Sequence, residues 1–278
     1  MKIIKIVGKC TLCLLFTVVA CILGFFAGSE INKKFFKVDK YSNLVREEFM
    51  DDISNLNYEG KSPEDFTPTE VFLLALEHTS ATDYDRLILG TLNISIGVTQ
   101  NIEVLTTKRG DEYSFASNTY SPVFKSAIRS TFKKNEDIHV EKGTVSTPYL
   151  KDVVWTDKYD TYSYDDYTKL LGRDVTYECQ YIVSSKTVTD SCLIKEENGL
   201  YTYKIVLDPF YSTFTYVNEI AHNSGVDKHT VSFNSVEFEF VVDNNFYLIS
   251  QFSTEKYTLK YGGIPVSITA TYNNTITH

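Results

Sequence analysis

The chain has 278 residues, 43% of them hydrophobic, with 27 lysines and arginines against 36 acids and a formal net charge of −9. All the acids and all but three of the bases lie beyond residue 29, so the part able to form a domain is strongly acidic, which argues against nucleic acid as a partner. The 20 tyrosines and 18 phenylalanines favour pleated, half-buried surfaces, and the length beyond the N-terminal stretch suffices for one large or two small domains.

Residues 10–29, CTLCLLFTVVACILGFFAGS, carry no charge and follow Lys2, Lys5 and Lys9. As a helix the stretch would be about 30 Å long, the thickness of a bilayer's hydrocarbon core. It exceeds the roughly 7–15-residue apolar core of a secretory signal. Residues 1–29 are therefore expected to be a retained N-terminal anchor, with a transmembrane helix over about 10–29. Two other readings stand beside it. Ala27 and Ser29 sit at small-residue spacing for cleavage, and VVAC, Val18 to Cys21, resembles a bacterial lipobox in which Cys21 is lipidated. Lys33, Lys34, Lys37 and Lys40 on the far flank balance the N-terminal lysines, so charge alone does not set topology.

Residues 30–60 place Val38, Tyr41, Val45, Phe49 and Ile53 near helical spacing, which predicts a juxtamembrane helix or stalk. From residue 61 to 278 a single extracytoplasmic domain is expected. It opens on FTPTEVFLLALEHTS, in which Thr67 is an N-cap, Pro68 the first helical residue and Glu70 the partner in a capping box. Next, DRLILGTLNISIG, VTQNIEVLTTK and RGDEYSFASNTY alternate apolar and polar residues as an antiparallel meander. In SPVFKSAIRSTF, Pro122 at a first helical position, with Val123, Ala127 and Ile128 on one side, predicts a second helix. Residues 133–160 are ambiguous, with short strands indicated around Ile138–Val140 and Val153–Trp155.

YDTYSYDDYTKLLG, rich in tyrosine and aspartate, admits a glycan- or calcium-binding surface. A short helix capped by Ser163 and ended by Gly172, with its tyrosines exposed, is the preferred reading, and EF-hand spacing is absent. VTYECQYIVSSKTVTDSCLIK reads as a hairpin. A turn at Ser185-Lys186 sets Cys179 opposite Cys192 in a non-hydrogen-bonded pair, where Cα atoms approach to about 4.5 Å, within disulfide range. Such a bridge belongs outside the cytosol, which is the reason for placing the domain there. The alternative is two free thiols on an apolar strand face. A helix then starts at Asp208-Pro209 and ends at Asn223–Gly225. The remainder is β, including SVEFEFVVDNN, FYLISQFSTE, KYTLKYGG and IPVSITATY.

The order of these elements resembles that of extracytoplasmic half-barrel proteins of the LolA/LolB and LppX/LprG type. The likeness is carried by TPTEVFLLALEHTSATDYDRLILGTLNISIG, GDEYSFAS and VEFEFVVDNNFYLISQFSTEKY, over residues 62–120 and 174–275. It implies an α+β fold in which a curved antiparallel sheet is covered by a few helices, with an apolar cavity for lipid. Candidate lining residues on apolar strand faces are Tyr113, Phe238, Phe240, Val242 and Ile268, which an ordinary core would bury just as well.

Catalytic signatures are missing from the sequence. The five histidines form no H-x-x-x-H or H-E-x-x-H pair, the thiols are not spaced for zinc, and no P-loop or dinucleotide fingerprint occurs. Glu237 and Glu239 share a strand face that solvation explains. The expectation is a non-catalytic, membrane-anchored extracytoplasmic protein, without cofactor or metal, that binds lipid or another apolar ligand. The alternative is a surface module that binds a glycan or an envelope protein through its tyrosines, Tyr162, Tyr164 and Tyr167 among them.

Overall fold

The computed structural model describes residues 40–176 and 179–278. The expected anchor, Cys21 and the first part of the stalk lie outside the described residues. Among the described residues no helix is long and apolar enough to cross a membrane.

Residues 40–66 form an irregular strap with 3-10 turns at Arg46–Phe49, where the sequence predicts a helix, and at Pro63–Asp65. The strap lies against the domain. Arg46 donates to Thr215 Oγ1 at 2.8 Å, Phe49 stacks on Tyr211, and Asp51 accepts the Ser185 N–H at 2.6 Å. Helix α1 (Pro68–Ala81) follows, with the predicted capping box formed between Thr67 and Glu70. A meander of six strands comes next: β1 (Tyr84–Ile94), β2 (Val98–Arg109), β3 (Glu112–Tyr120), β4 (Lys125–Lys133), β5 (Ile138–Thr144) and β6 (Val154–Tyr162). Helix α2 (Tyr164–Leu171) starts at its Ser163 cap and stops at Gly172. Then come β7 (Val188–Glu197), β8 (Leu200–Leu207), α3 (Tyr216–Ser224), β9 (Ser232–Asp243), β10 (Leu248–Tyr261) and β11 (Ile264–Thr277).

All eleven strands belong to one antiparallel sheet in the order β6-β5-β4-β3-β2-β1-β11-β10-β9-β8-β7. Two meanders are thus joined where β1 pairs with β11, from Asp85 opposite Thr277 to Ile94 opposite Ile268. Strands make up 49% of the described residues and helical turns of every kind 19%. The α+β class expected from the sequence is therefore corrected to a mainly β fold.

Three segments differ from what the sequence predicts. Pro122 opens a tight turn instead of a helix: the Ser121 N–H bonds the Phe124 carbonyl at 2.7 Å, and the Phe124 N–H bonds Ser121 Oγ at 2.9 Å. The residues that follow are β4, paired on both sides, and their Ile, Thr and Phe suit a strand once neighbours are present. The hairpin expected around Cys179 does not form either. Tyr181, Ile182 and Val183 are consecutive buried side chains, a pattern that a strand with one solvated face does not accommodate, and β7 begins only at Val188. Cys192 faces Lys204, not Cys179. Both are free thiols, Cys179 buried and Cys192 exposed, so the expected Cys179–Cys192 disulfide is absent. Finally, Asp208 caps a turn, accepting from Phe210 and Tyr211 N–H groups, and α3 starts eight residues after it.

One face of β8–β11 is covered by α1, α3 and residues 179–183, which bury the main core. Phe72 of α1 lies 4.8 Å from Phe238 and 5.0 Å from Phe240 between ring centroids. A smaller cluster, Tyr113, Phe132, Ile138, Val140 and Tyr164, packs under α2. The opposite sheet face is open and carries Leu87, Leu89, Leu105 and Phe252 exposed.

Candidate functional site

The open face of β1–β4 holds a groove of about 470 Å³, within the range typical of small-ligand sites. Its floor is apolar. Leu87 on β1 pairs with Leu105 on β2, which pairs with Ala116 on β3. Leu150 and Trp155 close one side. Leu150 is held there by its N–H, which donates to Glu103 on β2 at 2.6 Å, so the loop between β5 and β6 is pinned back over the sheet. Trp155 lies across β5 because Gly143 stands opposite it. A Cβ at Gly143 would come within 3.0 Å of the indole.

Polar groups sit at fixed points around this floor. The Arg129 guanidinium stacks over Trp155, 4.8 Å from the ring centroid, and donates to Glu141 at 2.5 Å. Glu141 has no exposed surface, and its other oxygen accepts the Asp157 N–H at 2.6 Å. Burial works to raise the Glu141 carboxyl. The Asp157 N–H and the Arg129 guanidinium outweigh it and hold the group below its ordinary range. Lys151 stands exposed at the rim. The groove therefore offers an apolar trough with an oriented guanidinium and an ammonium beside it.

A second polar feature lies in the covered core. Glu255 on β10 is fully buried and accepts from the hydroxyls of Tyr181 at 3.0 Å and Tyr216 at 3.4 Å, and from Tyr272. Burial pushes its carboxyl up to about 7, against the opposing effect of the three tyrosines. Tyr272 reaches this point by crossing Gly90 on β1, where a Cβ would lie 2.6 Å from its ring.

The candidate lining residues from the sequence are placed elsewhere. Phe238, Phe240, Val242 and Ile268 are buried in the main core, and Tyr113 stacks on Phe132 in the smaller one. The groove gathers none of them. Tyr164 is buried and donates to Asp174 at 2.6 Å, while Tyr162 packs against Tyr167, so these tyrosines serve the small core. The groove residues were missed, although the sequence carries a signal for them. In β1 the apolar phase slips, with Leu87 and Leu89 on one face and Leu92 and Ile94 on the other.

No family model and no curated protein matches this chain. Among solved structures it is similar to a de novo designed transmembrane β-barrel, at 4% identity, covering 70% of this chain and 95% of that chain with a TM-score of 0.20. A likeness of that size carries no argument about fold or function.

Proposed function

We propose that this chain is a membrane-anchored, non-catalytic binding protein whose open-face groove takes an apolar ligand with an anionic end. The observation that carries the reading is the groove itself: an exposed trough of Leu87, Leu105, Ala116, Leu150 and Trp155 with Arg129 and Lys151 beside it. Apolar side chains gathered on a solvent-facing sheet surface cost stability unless something covers them. Arg129 is held by Glu141 and Glu103 by the Leu150 N–H, and the exposed Lys151 ammonium at the rim favours an anionic end. A ligand of the same apolar class is what the resemblance to half-barrel lipoproteins implies.

Trp155 is the only tryptophan in the chain and lines the groove, so it reports on binding directly. The test is a titration of the full chain in amphipol with sodium oleate, followed by tryptophan emission, with oleyl alcohol as the uncharged control. A saturable change that is stronger for oleate and lost in Leu105→Asp supports the reading. No change, or the same change in Leu105→Asp, overturns it.

A further inference from the structure

The two ends of the sheet differ in chemistry. At one end lie the turns β2–β3, β4–β5, β7–β8 and β9–β10 and the loop before β1, with Asp83, Asp111, Lys134, Glu136, Asp137, Asn198 and Asn244 at their tips. These are ordinary polar turns. At the other end lie the turns β1–β2, β3–β4 and β10–β11 and the loop β5–β6. Their tips carry large apolar side chains: Ile96 is 64% exposed, Val123 74%, Tyr149 57% and Ile264 56%. Ile96 and Ile264 belong to neighbouring tips, since Ser95 N–H bonds the Ser267 carbonyl at 2.8 Å and Ser267 N–H bonds Ser95 Oγ at 3.0 Å.

The described chain enters at this same end. Lys40 Nζ donates to the Val231 carbonyl at 3.0 Å, just ahead of β9, and Tyr41 stacks on Phe210. The preceding sequence holds Lys33, Lys34 and Lys37 and, before them, the uncharged run 10–29. Lys260, beside Ile264, and Lys228, two residues before Thr230, meet here because Lys260 N–H donates to Thr230 Oγ1. Acids lie here too: Asp208 and Asp227 accept backbone N–H groups, and Glu47, Glu48 and Asp52 stand exposed on the strap where it meets Ser185 and Lys186.

We propose that this end of the domain docks on a lipid bilayer surface, with Ile96, Val123 and Ile264 immersed at the acyl boundary. Large apolar side chains at exposed turn tips match the chemistry of an interfacial anchor. The entry point of the chain supplies the occupant: an apolar run a short distance upstream of Lys40 brings this end, and not the opposite one, next to the bilayer. The docking surface shares the anchor with the proposed function and is independent of the groove.

The experiment uses the full chain reconstituted in phosphatidylcholine–phosphatidylglycerol vesicles with brominated acyl chains. In a Trp155→Phe background, tryptophan is introduced singly by Ile96→Trp, Ile264→Trp and, at the opposite end, Asp111→Trp. Emission from positions 96 and 264 should be largely quenched, and that from position 111 unaffected. On the unaltered chain, amide exchange at 95–97 and 262–264 should slow in vesicles relative to amphipol, while 110–111 and 134–137 stay the same. Equal quenching at all three positions, or unchanged exchange at the apolar tips, overturns the proposal. A concentration-dependent dimer in amphipol that is lost in Ile96→Asp/Ile264→Asp would assign the tips to a second copy, and would overturn it too. Because these readouts exclude Trp155, their failure and that of the groove are distinguishable.

Discussion

Glu255→Gln tests the buried carboxyl most directly. The side chain is sealed in the core by three tyrosine hydroxyls, and burial lifts its carboxyl from 4.5 to about 7. The folded state therefore holds a proton that the unfolded chain releases. The stabilisation is fully present below pH 4.5 and is lost as pH rises through 7. Over that window the loss is on the order of 3 kcal/mol, from about 1.4 kcal/mol for each pH step by which the carboxyl is raised. A glutamine at this position does not ionise, so this loss should disappear. Its amide presents a single acceptor oxygen to three tyrosine hydroxyls, which costs about 1–3 kcal/mol at every pH. The two stability curves should therefore converge as pH rises from 5 to 8. The assay is guanidinium denaturation of the full chain in amphipol, followed by far-UV circular dichroism at pH 5, 6, 7 and 8. Parallel curves for the two proteins would refute the reasoning, because they would mean that Glu255 titrates alike folded and unfolded.

Four further outcomes are expected. Gly90→Ala should destabilise the protein by about 1–3 kcal/mol in the same assay, because its Cβ collides with the Tyr272 ring across the β1–β11 ladder. Phe72→Ala should cost about 3–5 kcal/mol, since its ring is fully buried between Phe238 and Phe240. Arg129→Met should lower the melting temperature more than Lys142→Met does: Arg129 is the ionic partner of a carboxylate with no exposed surface, whereas the Lys142–Asp160 pair is exposed. Maleimide should modify Cys192 in the folded protein and reach Cys179 only after denaturation, where burial no longer pushes the thiol up. Modification of neither thiol without prior reduction would restore the disulfide.

Elements governed by short-range chemistry were legible in the sequence. The capping box at Thr67 and Glu70, the Ser163 cap, the meander from β1 to β3 and the strands after β9 all formed as their residues indicate. The failures occurred where one local pattern serves two structures. Pro122 fits either a helix start or a turn, and only pairing of β4 with β3 and β5 decides. Ser185-Lys186 does lie within a turn, but the residues before it are interior chain and not a strand. The groove was hidden for a different reason: its components come from β1, β2, β3, β4, β6 and the loop after β5, and their meeting depends on sheet order. Glu255 reads as one acid among 36, and nothing local marks it as buried.

The pairing of β1 with β11 has a consequence for biogenesis. Strand β11 is flanked by β10 and by β1, which the ribosome makes about 180 residues before it. Until β11 has left the exit tunnel, strands β1–β6 have no ladder to strands β7–β10. The unfinished sheet presents two bare inner edges, one on β1 and one on β10, of the kind that recruits foreign strands. The nascent chain is thus most exposed to mispairing just before β11 emerges. Deleting β11 would divide the sheet in two, whereas deleting β6 or β7 would merely trim an edge.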